Sequence, residues 1–80
     1  MKIKFYKQAT KALKGMDKTT RSRVANGISG IPQGDIKRLQ GHDELYRLRI
    51  GDWRIVFSYY DGETVLIEKI TPRGGAYKGG

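Results

Sequence analysis

Three runs rich in β-branched and aromatic residues, ELYRLRI, WRIVFSYY and ETVLIEKI, follow one another with only Gly51–Asp52 and Asp61–Gly62 between them. This spacing predicts an antiparallel meander: Asp-Gly is a strong hairpin signal, and Gly-Asp suits a turn with glycine at its first central position. Two-residue turns at both places would also set the register. In the first hairpin Arg49 then faces Arg54 and Arg47 faces Val56; in the second, Arg54 faces Lys69 and Val56 faces Ile67. One sheet face would carry Arg47, Arg49, Arg54 and Lys69. The other would collect Leu48, Ile50, Trp53, Ile55, Phe57, Leu66 and Ile70, an apolar surface that helices must cover. Glu68 also falls on that apolar face, which leaves two readings. Either it lies at the sheet end and pairs with Lys37 or Arg38, or a bulge shifts the last strand and Lys69 with it.

The first half of the chain supplies the covering layer. Ile3 and Phe5 alternate with Lys2, Lys4 and Tyr6, a short strand of period two. From Gln8 to Met16 the apolar positions Ala9, Ala12, Leu13 and Met16 follow helical spacing, with Lys7, Lys11 and Lys14 on the other side. Asp17 is placed to cap a second helix, Lys18 to about Ser29, whose apolar side is Val24, Ala25 and Ile28 and whose last turns Gly27 and Gly30 weaken. Ile31–Pro32–Gln33–Gly34 is a break, and no regular structure is assigned to Ile36-x-x-Leu39 after it. The order is β-α-α-β-β-β: an α+β domain over residues 1–80, with two N-terminal helices packed on a mainly antiparallel four-stranded sheet. The opposite sheet face stays open.

Composition narrows the chemistry. There are no cysteines and one histidine, His42, so thiolate or histidine metal centres and serine–histidine triads lack parts, and neither a metal nor another cofactor is expected. Sixteen Lys and Arg against eight Asp and Glu give a formal charge of +8, a field that attracts polyanions. Ten of those cations lie in residues 1–43 against three anions; residues 44–80 hold six against five. Bulk attraction belongs to the first half, and in the second it matters where each cation stands. The opening MKIKFYKQATKAL has no apolar run of signal-peptide or membrane-spanning length, so no membrane contact and a cytoplasmic location are expected.

Directly opposed like charges destabilise a sheet, so Arg47, Arg49 and Arg54 on one open face point to an anion. Outward snorkelling into water is the plainer account for any one of them, though it does not explain all three together. The planar guanidinium fork matches two phosphate oxygens and keeps its charge at any relevant pH. Beyond the last strand, Thr71–Pro72 stiffens the exit toward Arg73, and Tyr77 follows four residues later. A tyrosine there can stack on a base or exchange a proton if neighbouring cations lower its pKa from about 10.

LYRLRIGDWRIVF followed by VLIEKITPRGGAYK resembles the RelE/ParE superfamily of toxins, in its RelE branch, where such a strand pair leads to a terminal Arg-x-x-x-Tyr segment. The N-terminal strand and two helices fit the same architecture, so the likeness covers essentially the whole chain. It implies the toxin of a toxin–antitoxin system: a ribosome-dependent, metal-independent endoribonuclease (an mRNA interferase) that cuts messenger RNA in the A site of the 70S ribosome and is held inactive by a cognate RelB-like antitoxin. The implied reaction is attack of the ribose 2′-hydroxyl on the adjacent phosphate, leaving a cyclic phosphate and a 5′-hydroxyl. The implied catalytic residues are Arg49, Arg54, Arg73 and Tyr77, with Arg47 binding RNA; Lys69 joins Arg47 by the register above.

Two departures bear on mechanism. Well-known RelE-like enzymes carry lysines in the second-strand pair, where this chain has Arg47 and Arg49; arginine holds phosphate well but accepts protons poorly, its pKa exceeding about 12. Pro72 stands where many relatives have histidine or lysine. Tyr77 or ribosomal RNA would then supply more of the base. The alternative on the same fold is a ParE-like, non-nucleolytic toxin acting on DNA gyrase. A plain nucleic-acid-binding module using the lysine-rich first helix leaves the sheet cations unexplained.

Overall fold

A computed structural model describes residues 2–39 and 44–72. Its order is β1 (Lys2–Phe5), α1 (Lys7–Lys14), α2 (Lys18–Ser29), β2 (Asp35–Arg38), β3 (Tyr46–Ile50), β4 (Trp53–Tyr59) and β5 (Thr64–Pro72). The strands form one sheet in the order β1-β5-β4-β3-β2, antiparallel except where β1 runs parallel to β5. The α+β architecture is as expected, with one correction: the sheet has five strands, not four. The extra strand is Asp35–Arg38, which the helical spacing of Ile36 and Leu39 leaves undecided in the sequence. What decides is period two: Ile36 pairs with Leu48 while Asp35 and Lys37 face away beside Arg49 and Arg47.

Both helices rest on one face through small contacts. Ala9 of α1 and Val24 and Ile28 of α2 are buried against Leu48, Ile55, Phe57, Val65, Ile67 and Ile70. Ala25, expected on that side, is exposed, and Met16 is buried in the link rather than in α1. Asp17 caps α2 as anticipated, accepting from the Thr20 backbone N–H at 3.1 Å and its hydroxyl at 2.6 Å. Those bonds, the hydroxyl's first, hold its carboxyl below the ordinary carboxylate range. Arg21 joins the helices, donating to the carbonyls of Leu13 at 3.0 Å and Met16 at 2.8 Å. Gly27 has a reason beyond propensity: a Cβ there would stand 2.3 Å from Ile50 Cδ1 and 2.9 Å from its Cγ1, so any larger residue obliges the half-buried Ile50 side chain to move. Past the end of β1, the Gln8 side-chain amide substitutes for a strand partner. It accepts from the Ile70 N–H at 3.1 Å and donates to the Ile70 carbonyl at 3.4 Å.

The two hairpins differ. β3 and β4 pair as the two-residue turn requires, Arg49 opposite Arg54 and Arg47 opposite Val56, with Gly51 at φ 58°. In the second hairpin the expected register is wrong: Arg54 pairs with Thr71, and Lys69 with Val56. The turn holds three residues, because Tyr60 N–H donates to the Thr64 carbonyl at 2.8 Å and Asp61 Oδ1 accepts from Glu63 N–H at 2.7 Å. That added residue turns Val65 and Ile67 into the core opposite Tyr59 and Phe57. A bulge between Val56 and Phe57 then sets Glu68 aside and keeps Ile70 inward opposite Ile55. Of the two readings for Glu68, the bulge is correct; it makes no pair with Lys37 or Arg38. Keeping a lone carboxylate out of the core avoids a desolvation penalty of roughly several kcal/mol.

Candidate phosphate-binding face

The open face is built from alternate residues of β5, β4, β3 and β2, read across the strands. One row runs Thr71, Arg54, Arg49, Asp35; the next runs Lys69, Val56, Arg47, Lys37. Arg49 is exposed and Arg54 half-buried, directly opposed across β3 and β4. Neither can turn inward, since the residues on either side of each, Leu48 and Ile50, Trp53 and Ile55, belong to the packed face. Guanidinium groups on directly paired positions offer two planar donor forks to one anion.

Arg47 behaves differently from its neighbours. It is buried, 8% exposed, and turned toward the sheet edge, where its Nη1 lies 3.7 Å from Asp35 Oδ1 and donates to the Asp35 carbonyl at 3.4 Å. A guanidinium so engaged holds the edge strand and Arg49's row in place, and it is less available to RNA than the sequence suggested. Lys69 is exposed one row along from Arg54, beside Val56, not abreast of it. The face thus brings Arg49 and Arg54 together, with Arg47 behind and Lys69 diagonal to Arg54. Arg73 and Tyr77 lie outside the described residues.

Sequence reasoning missed two groups on this face. Asp35 ends the arginine row as a carboxylate opposite Arg49; its alternation with Ile36 and Lys37 was the available signal. Farther along the same face, Ser58, Leu66 and Glu68 join Tyr6, Glu44 and Tyr60 in lining an open cleft of about 740 Å³. Ser58 Oγ donates to Glu68 Oε2 at 2.7 Å. On the packed side, the Arg38 guanidinium lies 5.7 Å from the centre of the Tyr46 ring and donates to its hydroxyl at 3.4 Å. Among the described residues no helix is long and apolar enough to cross a membrane.

No family model matches the chain. Among curated proteins, the toxin RelE1 of Methanocaldococcus jannaschii is 51% identical over 45 residues, which is 55% of this chain and only 50% of that protein's length. Toxin RelE3 of the same organism is 28% identical over 96% of both chains. Among solved structures, a chain of the archaeal RelE–RelB complex from Pyrococcus horikoshii is 30% identical and superposes with a TM-score of 0.74, covering 91% of this chain and 94% of that one.

Proposed function

Because this chain belongs to the RelE family of toxins, we propose that it is the toxin of a toxin–antitoxin pair and acts by cutting messenger RNA on the ribosome. What supports the nucleolytic reading is one observation: Arg49 and Arg54 stand directly opposed on a face that nothing in the described fold covers. A ParE-like protein that only binds a partner has no need for a pair of guanidinium forks on directly paired positions of an open face.

In this reading Arg49 and Arg54 clamp the non-bridging oxygens of the scissile phosphate. As the 2′-hydroxyl oxygen bonds to phosphorus and the bond to the 5′ oxygen breaks, negative charge grows on those oxygens. Cations already in place stabilise that state more than the ground state. The 2′ proton goes to a base and the 5′ oxygen takes up a proton. Arginine is a poor base, so Tyr77 or a ribosomal RNA group accepts the first proton, and Arg73 steadies the leaving oxygen; these two roles rest on the motif alone. Lys69 offers a further phosphate contact. Arg47 positions Arg49 and the edge strand. The structural relative comes from a RelE–RelB complex, and on this basis a RelB-like antitoxin is the proposed partner, one with enough acidic or amphipathic surface to cover a +8 chain.

The test is primer extension on translated messages after induction. Cuts at ribosome-bound codons that vanish in Arg54→Ala support the proposal. Intact messages together with inhibited gyrase supercoiling by the purified protein would overturn it.

A further inference from the structure

We propose that the cleft beyond the arginine row is a base-reading subsite that selects guanine in the bound RNA, with Glu68 as the reader. The inference rests on the RNA-binding reading above but not on cleavage.

Its position comes first. Ser58 lies four residues along β4 from Arg54 on the same face, a separation of about 13 Å, so a strand of RNA clamped at Arg49 and Arg54 and lying along β4 runs over the cleft. The chemistry of the lining then changes sign. Around Arg49 and Arg54 the face offers donors, which suit phosphate. Around Glu68 and Glu44 it offers carboxylates, which accept hydrogen bonds only and repel phosphate. Of the parts of an RNA chain, the bases carry the N–H donors that such a site can use.

Glu68 is prepared for that role. The bulge lifts it out of the core onto the open side, and the Ser58 hydroxyl fixes one of its oxygens at 2.7 Å. Among the described residues this is its one polar contact, and no cation lies within ion-pair distance of it. A carboxylate oxygen accepts two bonds, so both oxygens keep acceptor capacity. Guanine is the one standard base whose Watson–Crick edge presents two adjacent donors, N1–H and the 2-amino group, matching a carboxylate in a bidentate pair. Adenine and cytosine offer one amino donor next to an acceptor. Two tyrosines flank the same cleft, Tyr6 at 48% and Tyr60 at 69% exposure. Single-stranded RNA is commonly read by stacking an unpaired base on such a ring while its edge is hydrogen-bonded.

The test needs no catalysis. Uncleavable 2′-O-methyl uridine hexamers, each carrying one guanine, inosine, adenine or cytosine at successive positions, are titrated into the protein and followed by fluorescence anisotropy. At one position guanine should bind at least about ten-fold tighter than adenine or cytosine, with inosine, which lacks the 2-amino group, in between. Glu68→Gln replaces one acceptor by a donor and should move the preference from guanine toward adenine and cytosine, whose edges each offer a donor beside an acceptor. Ser58→Ala should weaken guanine binding without altering the order. Four bases binding alike to the unmodified protein, or a guanine preference that survives Glu68→Gln, overturns the proposal. Base selectivity without cleavage on ribosomes would sink the nuclease reading and leave the subsite standing; cleavage indifferent to the base would do the reverse.

Discussion

The two faces of this sheet are made by the same strands, often by consecutive residues, and they obey different rules. On the packed face Leu48, Ile55, Phe57, Ile67 and Ile70 are each at most 2% exposed, and side-chain volume and shape decide what is tolerated. On the open face backbone pairing sets the spacing of Arg49, Arg54 and Lys69, and charge decides. A strand that alternates between the two can be changed on one face with little consequence for the other. Stability and activity should therefore separate by residue parity along β4.

The largest effect is expected on the packed side. Phe57 is fully buried and stacks on Tyr46 with ring centres 5.7 Å apart. Phe57→Ala should cost about 3–5 kcal/mol, a large share of the roughly 5–15 kcal/mol available to a small domain. Urea unfolding followed by tryptophan fluorescence of Trp53 measures it. A midpoint within error of the parent would mean that the core does not depend on this ring. Next in size is Arg54→Ala, on the opposite face three residues earlier. It should reduce ribosome-bound cleavage by about 10²–10³ while the urea midpoint shifts far less than in Phe57→Ala, as for most substitutions outside the core. Loss of both stability and cleavage in this variant would erase the distinction between the faces.

Arg47 sharpens the comparison because it belongs to the open face by parity yet is buried like a core residue. Arg47→Ala should cost about 1–2 kcal/mol of stability through lost packing and the Asp35 carbonyl bond. The ion pair itself adds little, since Asp35 is 52% exposed and solvent screens it. Cleavage should fall less than in Arg54→Ala. Kinetics in which Arg47→Ala raises KM as much as Arg54→Ala lowers kcat would restore it to direct RNA contact.

The hairpins show why part of this was legible in the sequence and part was not. Gly51–Asp52 closes β3 on β4 with no freedom of register, so the facing of Arg49 and Arg54 followed from counting. Asp61–Gly62 looked equivalent, but the Asp61 carboxylate accepts from Glu63 N–H and admits a third loop residue. The bulge at Glu68 then absorbs the slip. Both departures serve burial: they carry Val65, Ile67 and Ile70 inward and Glu68 outward. That outcome depends on the whole sheet and not on any dipeptide. The apolar face was legible in kind though not in register. Of the candidate site, Arg49 and Arg54 were placed correctly and Lys69 was not, while the partnership of Arg47 with Asp35 needed β2, whose four residues are too short to declare a period.

The smallest effect concerns the helical layer that covers the packed face, and its sign can be set in advance. Asp17 holds the first turn of α2 through Thr20, and these bonds lower its carboxyl pKa in the folded chain. A carboxyl depressed by folding adds stability above its unfolded value, near 4, and loses it as pH falls through the lower folded value. Asp17→Ala should therefore be less stable than the parent by an amount that is constant from neutral pH to about 5 and narrows below about 4. Asp61 is also depressed, by its bond from Glu63, but it is present in both proteins and cancels in the difference. Urea midpoints of the two proteins between pH 2 and 7 measure the gap, and cleavage near neutrality should be equal in both. A gap that widens on acidification would mean that the capping bonds do not favour the ionised carboxylate.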